Sequence, residues 1–355
     1  MGVGVPARAI YLLLWLLVSA AGSLRAAILN ANATPGVQTI TFAIPGEGPA
    51  VIFPSAALPP ITESVVIDGF PQVGAHDGQP IVEVRGPGDT VGWSGFELQA
   101  SAITIRGLAI TQFGQAIFAG QSQTGHVLER NYIGTNRSNE DRGNNFGVIW
   151  RSSSSAIRDN VISGNNGDGL SLVIGASSNL VSNNRIGVRP DGTAALPNGN
   201  NGVTLYDAAN NNAFEGNIIS GNGGVGVDIQ KNTLVAVSGT RFRNNTIGLD
   251  DTGAAMANLG GGIRVDSAPN TVIGEPGAGN TISGNQVAPS MEGDDYGGGP
   301  GILVKGWTSV ADMPGESLVL DFETCMGCNC CDGEFRFPSN PSEECSACAV
   351  RQTLS

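Results

Sequence analysis

Four charged residues in the C-terminal half are spaced so that a repeating fold could bring them together: Asp228, Arg264, Asp266 and Lys305. Each lies in a short segment that opens with glycine and alternates in polarity, "GVGVD" from Gly224, "GIRVD" from Gly262 and "GILVK" from Gly301. On neighbouring strands about 5 Å apart, two carboxylates suit a retaining acid and nucleophile pair, or a Ca²⁺ and uronate site. An adjacent Arg or Lys of lowered pKa could take the proton beside a substrate carboxylate. The competing expectation is an exposed charge ladder in which Lys305 offsets Asp266 across the sheet. No cofactor is expected, apart from Ca²⁺ if chemistry occurs here.

Three upstream segments have the same form: "GVIWR" from Gly147, "GLSLV" from Gly169 and "GVTLY" from Gly202. Alternation with period two makes each a half-buried strand. Stacked, they give an inner column of Val148, Leu170, Val203, Val225, Ile263 and Ile302. One outer column reads Arg151, Val173, Tyr206, Asp228, Asp266 and Lys305, and its neighbour reads Ile149, Ser171, Thr204, Gly226, Arg264 and Leu303. Arg151, Ser171, Thr204 and Tyr206 are therefore the expected ligand-facing side chains beside the acidic pair.

The elements that must position these strands repeat as well. "NVISGN" at 160–165 returns as "NIISGN" at 217–222 and "NTISGN" at 280–285. Related copies begin at Asn131, Asn184 and Asn245. Two residues on stand Ile133, Ile162, Ile186, Ile219, Ile247 and Ile282; three residues before the first five stand Leu128, Ile157, Val181, Phe214 and Phe242. A unit of this length holds three strands but cannot bury its own apolar face, whereas stacked copies can. The pattern predicts a parallel β-helix, with Asn at sharp corners and its amides stacked in a hydrogen-bonded ladder. The segments "SVVIDG", "PIVEV", "FELQAS", "ITIRGLAI" and "QAIFAG" read as earlier, less regular coils.

Composition fits. The 355 residues include 52 Gly, only 14% are charged, and 18 basic against 31 acidic residues leave a net charge of −13. Such a surface repels nucleic acid, and no basic cluster offsets it. Arg8 followed by "AIYLLLWLLVSAAG" reads as a signal peptide over 1–21, too short for a spanning helix, so a secreted, extracellular or cell-surface protein is expected. The expected organisation is a cap with first strands at 22–62, a β-helix at 63–308 and a Cys-rich tail at 309–355. In that tail Cys325-x₂-Cys328 and Cys345-x₂-Cys348 have zinc-ribbon spacing. The export signal favours disulfides among the six cysteines over zinc. Asn136-Arg-Ser138 and Asn244-Asn-Thr246 match glycosylation acceptors, and Asn32-Ala-Thr34 is weakened by Pro35.

With "GSLRAAI" at 22–28, "ANATPGVQTITFAIPG", "LPPITESVVIDG", "ITIRGLAI" and "RNYIGT", the chain resembles secreted right-handed parallel β-helix repeat proteins that open with a Cys-Ser-Leu-Arg-Glu-Ala-Ile-type cap. The resemblance covers roughly residues 22–306. Gly22 stands where that motif has cysteine and Ala26 where it has glutamate, which bears on any cap-specific disulfide or hydrogen bond and not on the fold. The resemblance implies an exported protein and a scaffold shared by pectate lyases, polygalacturonases and alginate-modifying enzymes; fold alone does not choose among them. Two functions are expected to compete. One is a surface protein binding polysaccharide or a cell-envelope partner along its long face. The other is a lyase or glycosidase for acidic polysaccharide using Asp228, Asp266 and Arg264 or Lys305.

Overall fold

The computed structural model describes residues 9–12, 22–46, 48–72, 74, 77–230, 235–286, 301–305, 318–321 and 351–354. Cys325, Cys328, Cys345 and Cys348 lie outside these residues, as does the expected signal segment except for 9–12. Near the N-terminus a helix, Leu24–Asn32, is capped by Ser23, whose hydroxyl accepts from the Ala26 N–H at 3.1 Å. It buries Leu24, Ala27, Ile28 and Ala31 and lies against the strand Gln38–Phe42. The sheet edge there also pairs with Ala9–Leu12.

From there the chain winds as a parallel β-helix. Each regular coil contributes a strand before a corner asparagine, a two-residue strand after it, and a Gly-led strand. One turn, for example, is Ala156–Arg158, Val161–Ile162 and Leu170–Val173; the next is Leu180–Ser182, Arg185–Ile186 and Val203–Tyr206. These stack into a pre-Asn, a post-Asn and a Gly-led sheet, all parallel except where Leu318–Asp321 meets Arg351–Leu354. The earlier segments are strands too, including Val65–Asp68, Val82–Arg85, Ser94–Leu98 and Gln115–Ala119.

The expected apolar columns fill the interior. Ile133, Ile162, Ile186, Ile219 and Ile247 are fully buried, and Ile282 is half-buried. Leu128, Ile157, Val181, Phe214 and Phe242 form a second column, with the Phe214 and Phe242 rings stacked at 4.8 Å. The column continues at Ile273, which pairs with Phe242; the insertion after it displaced the expected sixth position.

The asparagine ladder runs through Asn131, Asn160, Asn184, Asn217, Asn245 and Asn280. Each Nδ2 donates to the next Oδ1 at 2.8–3.1 Å, as between Asn131 and Asn160 and between Asn245 and Asn280. The left-handed residue of the corner is not this asparagine but the residue before it: Arg130, Asp159, Asn183 and Asn244 have φ of 51–57°. The ladder asparagine must instead aim its amide inward. A second ladder, Asn144, Asn165, Asn198, Asn222, Asn258 and Asn285, lines the next corner.

A third corner is headed by His126. Its Nδ1 accepts from the Ile103 N–H at 3.3 Å, and its backbone N–H donates to the Ser155 hydroxyl; Asn179 and Asn212 follow in the same corner. His126 is 1% exposed and sits edge-to-face with buried Trp150 at 5.5 Å. Burial pushes its pKa down from 6.5 to about 4. The unfolded chain then binds the proton more readily than the folded one. Stability from this site is complete above pH 6.5 and falls as the pH drops through 4, by about 3 kcal/mol in full. The stability difference between wild type and His126→Asn should therefore shift toward the variant between pH 7 and pH 4.5, read by urea unfolding. A pH-independent difference would contradict the assignment.

Candidate functional site

Two of the three outer faces are occupied by their own side chains. On the pre-Asn sheet Arg106 bridges Asp68 at 2.7 Å and Glu129 at 3.4 Å, and Arg158 reaches Glu129 at 2.7 Å. Further along, Arg243 joins Glu215 and Glu275. The post-Asn sheet buries Ala109, Tyr132 and Val161. Turns at 135–141, 188–195 and 249–255 project beside it, tied by Asn139 to Asp191 at 3.0 Å and Arg185 to Asp251 at 2.6 Å. Asp250 caps its own turn by accepting from the Thr252 N–H.

The Gly-led sheet remains. Ser171 pairs with Thr204 and Val173 with Tyr206, as expected. The next coil differs. Thr204 is opposite Asp228, and Asp228 is opposite Arg264. The strand thus starts from Gly226, not Gly224, and Asp228 stands in the column of Ser171, Thr204 and Arg264 rather than beside Asp266. The physical reason is the "GGVGVD" run: a slip of two residues preserves the in-out alternation, so polarity alone cannot reject it. Val227 and Ile229, both fully buried, fill the inner column, and Asp266 is opposite Lys305.

Asp228 is fully buried. It accepts from Arg264 through both carboxylate oxygens, the Nε contact being 2.6 Å, and also from Gln230 and from Asn201 at 3.3 Å. The ion pair and burial act on Arg264 in opposite senses, and the Asp228 contact wins, raising the guanidinium pKa. Ser171 and Thr204 are 6% and 3% exposed, so they are not the open ligand-facing positions expected of them. They turn instead toward Asp168. Its carboxylate accepts from the Ser171 hydroxyl and the Asn201 N–H, both at 3.2 Å, and from Thr204. Burial, helped by the nearby Asp228 charge, outweighs these bonds and raises the Asp168 pKa.

The face therefore holds two carboxylates in unlike settings, Asp228 fully buried against the Arg264 guanidinium and half-buried Asp168 held by hydroxyl and amide donors alone. Along the same face Phe118, Ile149, Arg151, Tyr206, Gln230 and Asp266 are half-buried, and Phe146 is 36% exposed. Asp168, Asn201 and Phe118 were missed from the sequence. A usable signal existed: each ladder asparagine at Asn165, Asn198, Asn222 and Asn258 precedes its strand glycine, Gly169, Gly202, Gly226 and Gly262, by four residues. That spacing sets the register of every strand in the cluster.

Among the described residues no three His, Cys, Asp or Glu side chains are arranged to hold a metal ion. The Ca²⁺ expectation rested on Asp228 and Asp266 as column neighbours, and the register removes that basis. Among the described residues no helix is long and apolar enough to cross a membrane.

Residues 88–247 match the family described as right handed beta helix region. The chain is 30% identical over 224 residues to a 3-dehydroshikimate dehydratase of Acinetobacter baylyi, a match spanning 55% of this chain and 44% of that protein. Among solved structures it is similar to the A-module of the mannuronan C-5 epimerase AlgE4 of Azotobacter vinelandii, with 16% identity, 76% of each chain covered and a TM-score of 0.50. The A-module of AlgE6 from the same organism gives 17% identity over 79% of this chain and 74% of that one, with a TM-score of 0.49. The strand stacking, the family match and the likeness in shape agree: the chain is a right-handed parallel β-helix.

Proposed function

We propose that the protein is exported and binds a polysaccharide laid along the outer face of the Gly-led sheet. The supporting observation is the state of the three faces. The other two pair or cover many of their own side chains, while this one keeps Phe118, Ile149, Arg151, Tyr206 and Asp266 partly open on four of its coils. Coils repeat about every 4.8 Å, close to the length of one pyranose, so a glycan parallel to the axis meets an equivalent position at each sugar. Aromatic rings there offer stacking surface, and Gln230 and Asp266 offer hydrogen bonds to hydroxyls.

A second reading is enzymatic, a lyase or glycosidase acting on the bound polymer. It draws on the contrast between Asp228, fully buried and ion-paired with Arg264, and Asp168, which meets no cation among the described residues and whose pKa burial raises; carboxylates in such unlike settings suit separate roles in acid and base chemistry. The similarity to a dehydratase lends it some weight, because removing water also needs a proton donor for the departing oxygen. In this reading Asp168 is the proton-transfer group, and Asp228 positions Arg264 through their ion pair.

Residues 22–355 would be presented with pectin, alginate and neutral glycans, with and without Ca²⁺. Retention is followed by affinity electrophoresis, and turnover by new reducing ends and ultraviolet absorbance. The binding account expects retention by at least one polymer, weakened about tenfold or more in Tyr206→Ala, without turnover. Turnover that disappears in Asp168→Asn while retention persists would establish the enzymatic reading. Folded protein retained by no polymer would sink both.

A further inference from the structure

Most arginines among the described residues are seated on carboxylates. Arg85, Arg106, Arg137, Arg142, Arg158, Arg185, Arg241, Arg243 and Arg264 each form an ion pair. With 31 acidic against 18 basic residues, counter-charge is abundant. Arg151 is the exception on the Gly-led face. It has no carboxylate partner among the described residues. Its guanidinium lies over the Phe118 ring, 5.0 Å from the centroid, and its Nε is buried with no hydrogen-bond partner.

A half-buried cation without a counter-charge is costly. Stacking on Phe118 offsets part of that cost and also fixes the plane of the fork. A fixed guanidinium whose charge no carboxylate meets is suited to a planar or tetrahedral oxyanion. Its surroundings fit a sugar: Phe118 and Ile149 pair across adjacent coils and give an apolar platform directly beside it. Arg130 over Phe70 is the same contact on another face, but there Glu129 acts on the guanidinium.

We infer that Arg151 on its Phe118 platform is an anion-recognising subsite, and that the ligand carries a carboxylate or sulfate ester on the sugar placed there. This rests on the reading of the Gly-led face as a glycan-binding surface. The charge of the whole chain sharpens the inference. A net charge of −13 gives an anionic polymer no general attraction, so affinity for one must come from a local cation such as this.

The test measures affinity of residues 22–355 for polygalacturonate, a carrageenan and neutral xyloglucan at low and high salt. The variants are Arg151→Gln and Arg151→Lys, each checked for wild-type circular dichroism. The expected result is a preference for a charged polymer that falls with salt. Arg151→Gln should weaken that binding about tenfold and leave xyloglucan unchanged, with Arg151→Lys between the two. Preference for polygalacturonate over carrageenan assigns the group as carboxylate; the reverse assigns sulfate. Equal affinity for neutral and charged polymers, or a variant that loses both alike, would overturn the subsite while leaving glycan binding intact. Binding of none of the three would remove the glycan reading and the subsite with it.

Discussion

Asn184→Ala is expected to destabilise the protein by about 4 kcal/mol, more than most single substitutions do. Its Nδ2 donates to the Ile157 carbonyl at 2.8 Å and to Asn217 Oδ1 at 2.9 Å. Its Oδ1 accepts both the backbone N–H and the side-chain amide of Asn160, each at 3.0 Å. Alanine leaves the Asn160 N–H buried without a partner, at about 1–3 kcal/mol, takes from the Ile157 carbonyl the second of its bonds beside the strand ladder, breaks the amide chain between Asn160 and Asn217, and opens a small void between stacked isoleucines. In a solenoid each coil touches only its neighbours, so the damage should be local. Hydrogen exchange should quicken first around Asn160, Asn184 and Asn217, alongside a lowered urea midpoint. A loss below about 1 kcal/mol would mean that the isoleucine columns hold the corner without the ladder.

Arg264→Leu should cost about 3–5 kcal/mol, because it strands a fully buried carboxylate at Asp228. Most of that cost is the unpaired charge rather than the lost attraction. Adding Asp228→Asn should therefore recover most of the stability, since the amide can still meet Gln230 and Asn201. A double-mutant cycle in urea measures the coupling directly. Near-additive losses would show that Gln230 and Asn201 suffice to hold the ion, and that Arg264 is free to serve another role.

These two residues also mark how far the sequence could be read. The asparagine ladder was legible because the fold repeats it, and repetition gives the same residue the same surroundings six times. The isoleucine and phenylalanine columns were legible for the same reason. Asp228 was not, because "GGVGVD" offers two registers of equal polarity, and period-two alternation cannot separate them. The corner Asn222, bonded to Asn198 and Asn258, selects one, but its meaning depends on knowing that a second ladder exists. Asp168 escaped notice because it precedes its strand by two residues, where the segment reads as loop. Burial of Ser171 and Thr204 depends on side chains of adjacent coils, which no single strand pattern encodes.

Hydroxyl-radical footprinting with a retained polymer reports whether ligand lies on the Gly-led face. The account predicts protection of Phe118, Phe146 and Tyr206, with Phe53 and Leu180, which are exposed elsewhere on the solenoid, labelled as before. Protection of Phe53 or Leu180 with Phe118 and Tyr206 unchanged would contradict it and move the binding surface to another sheet.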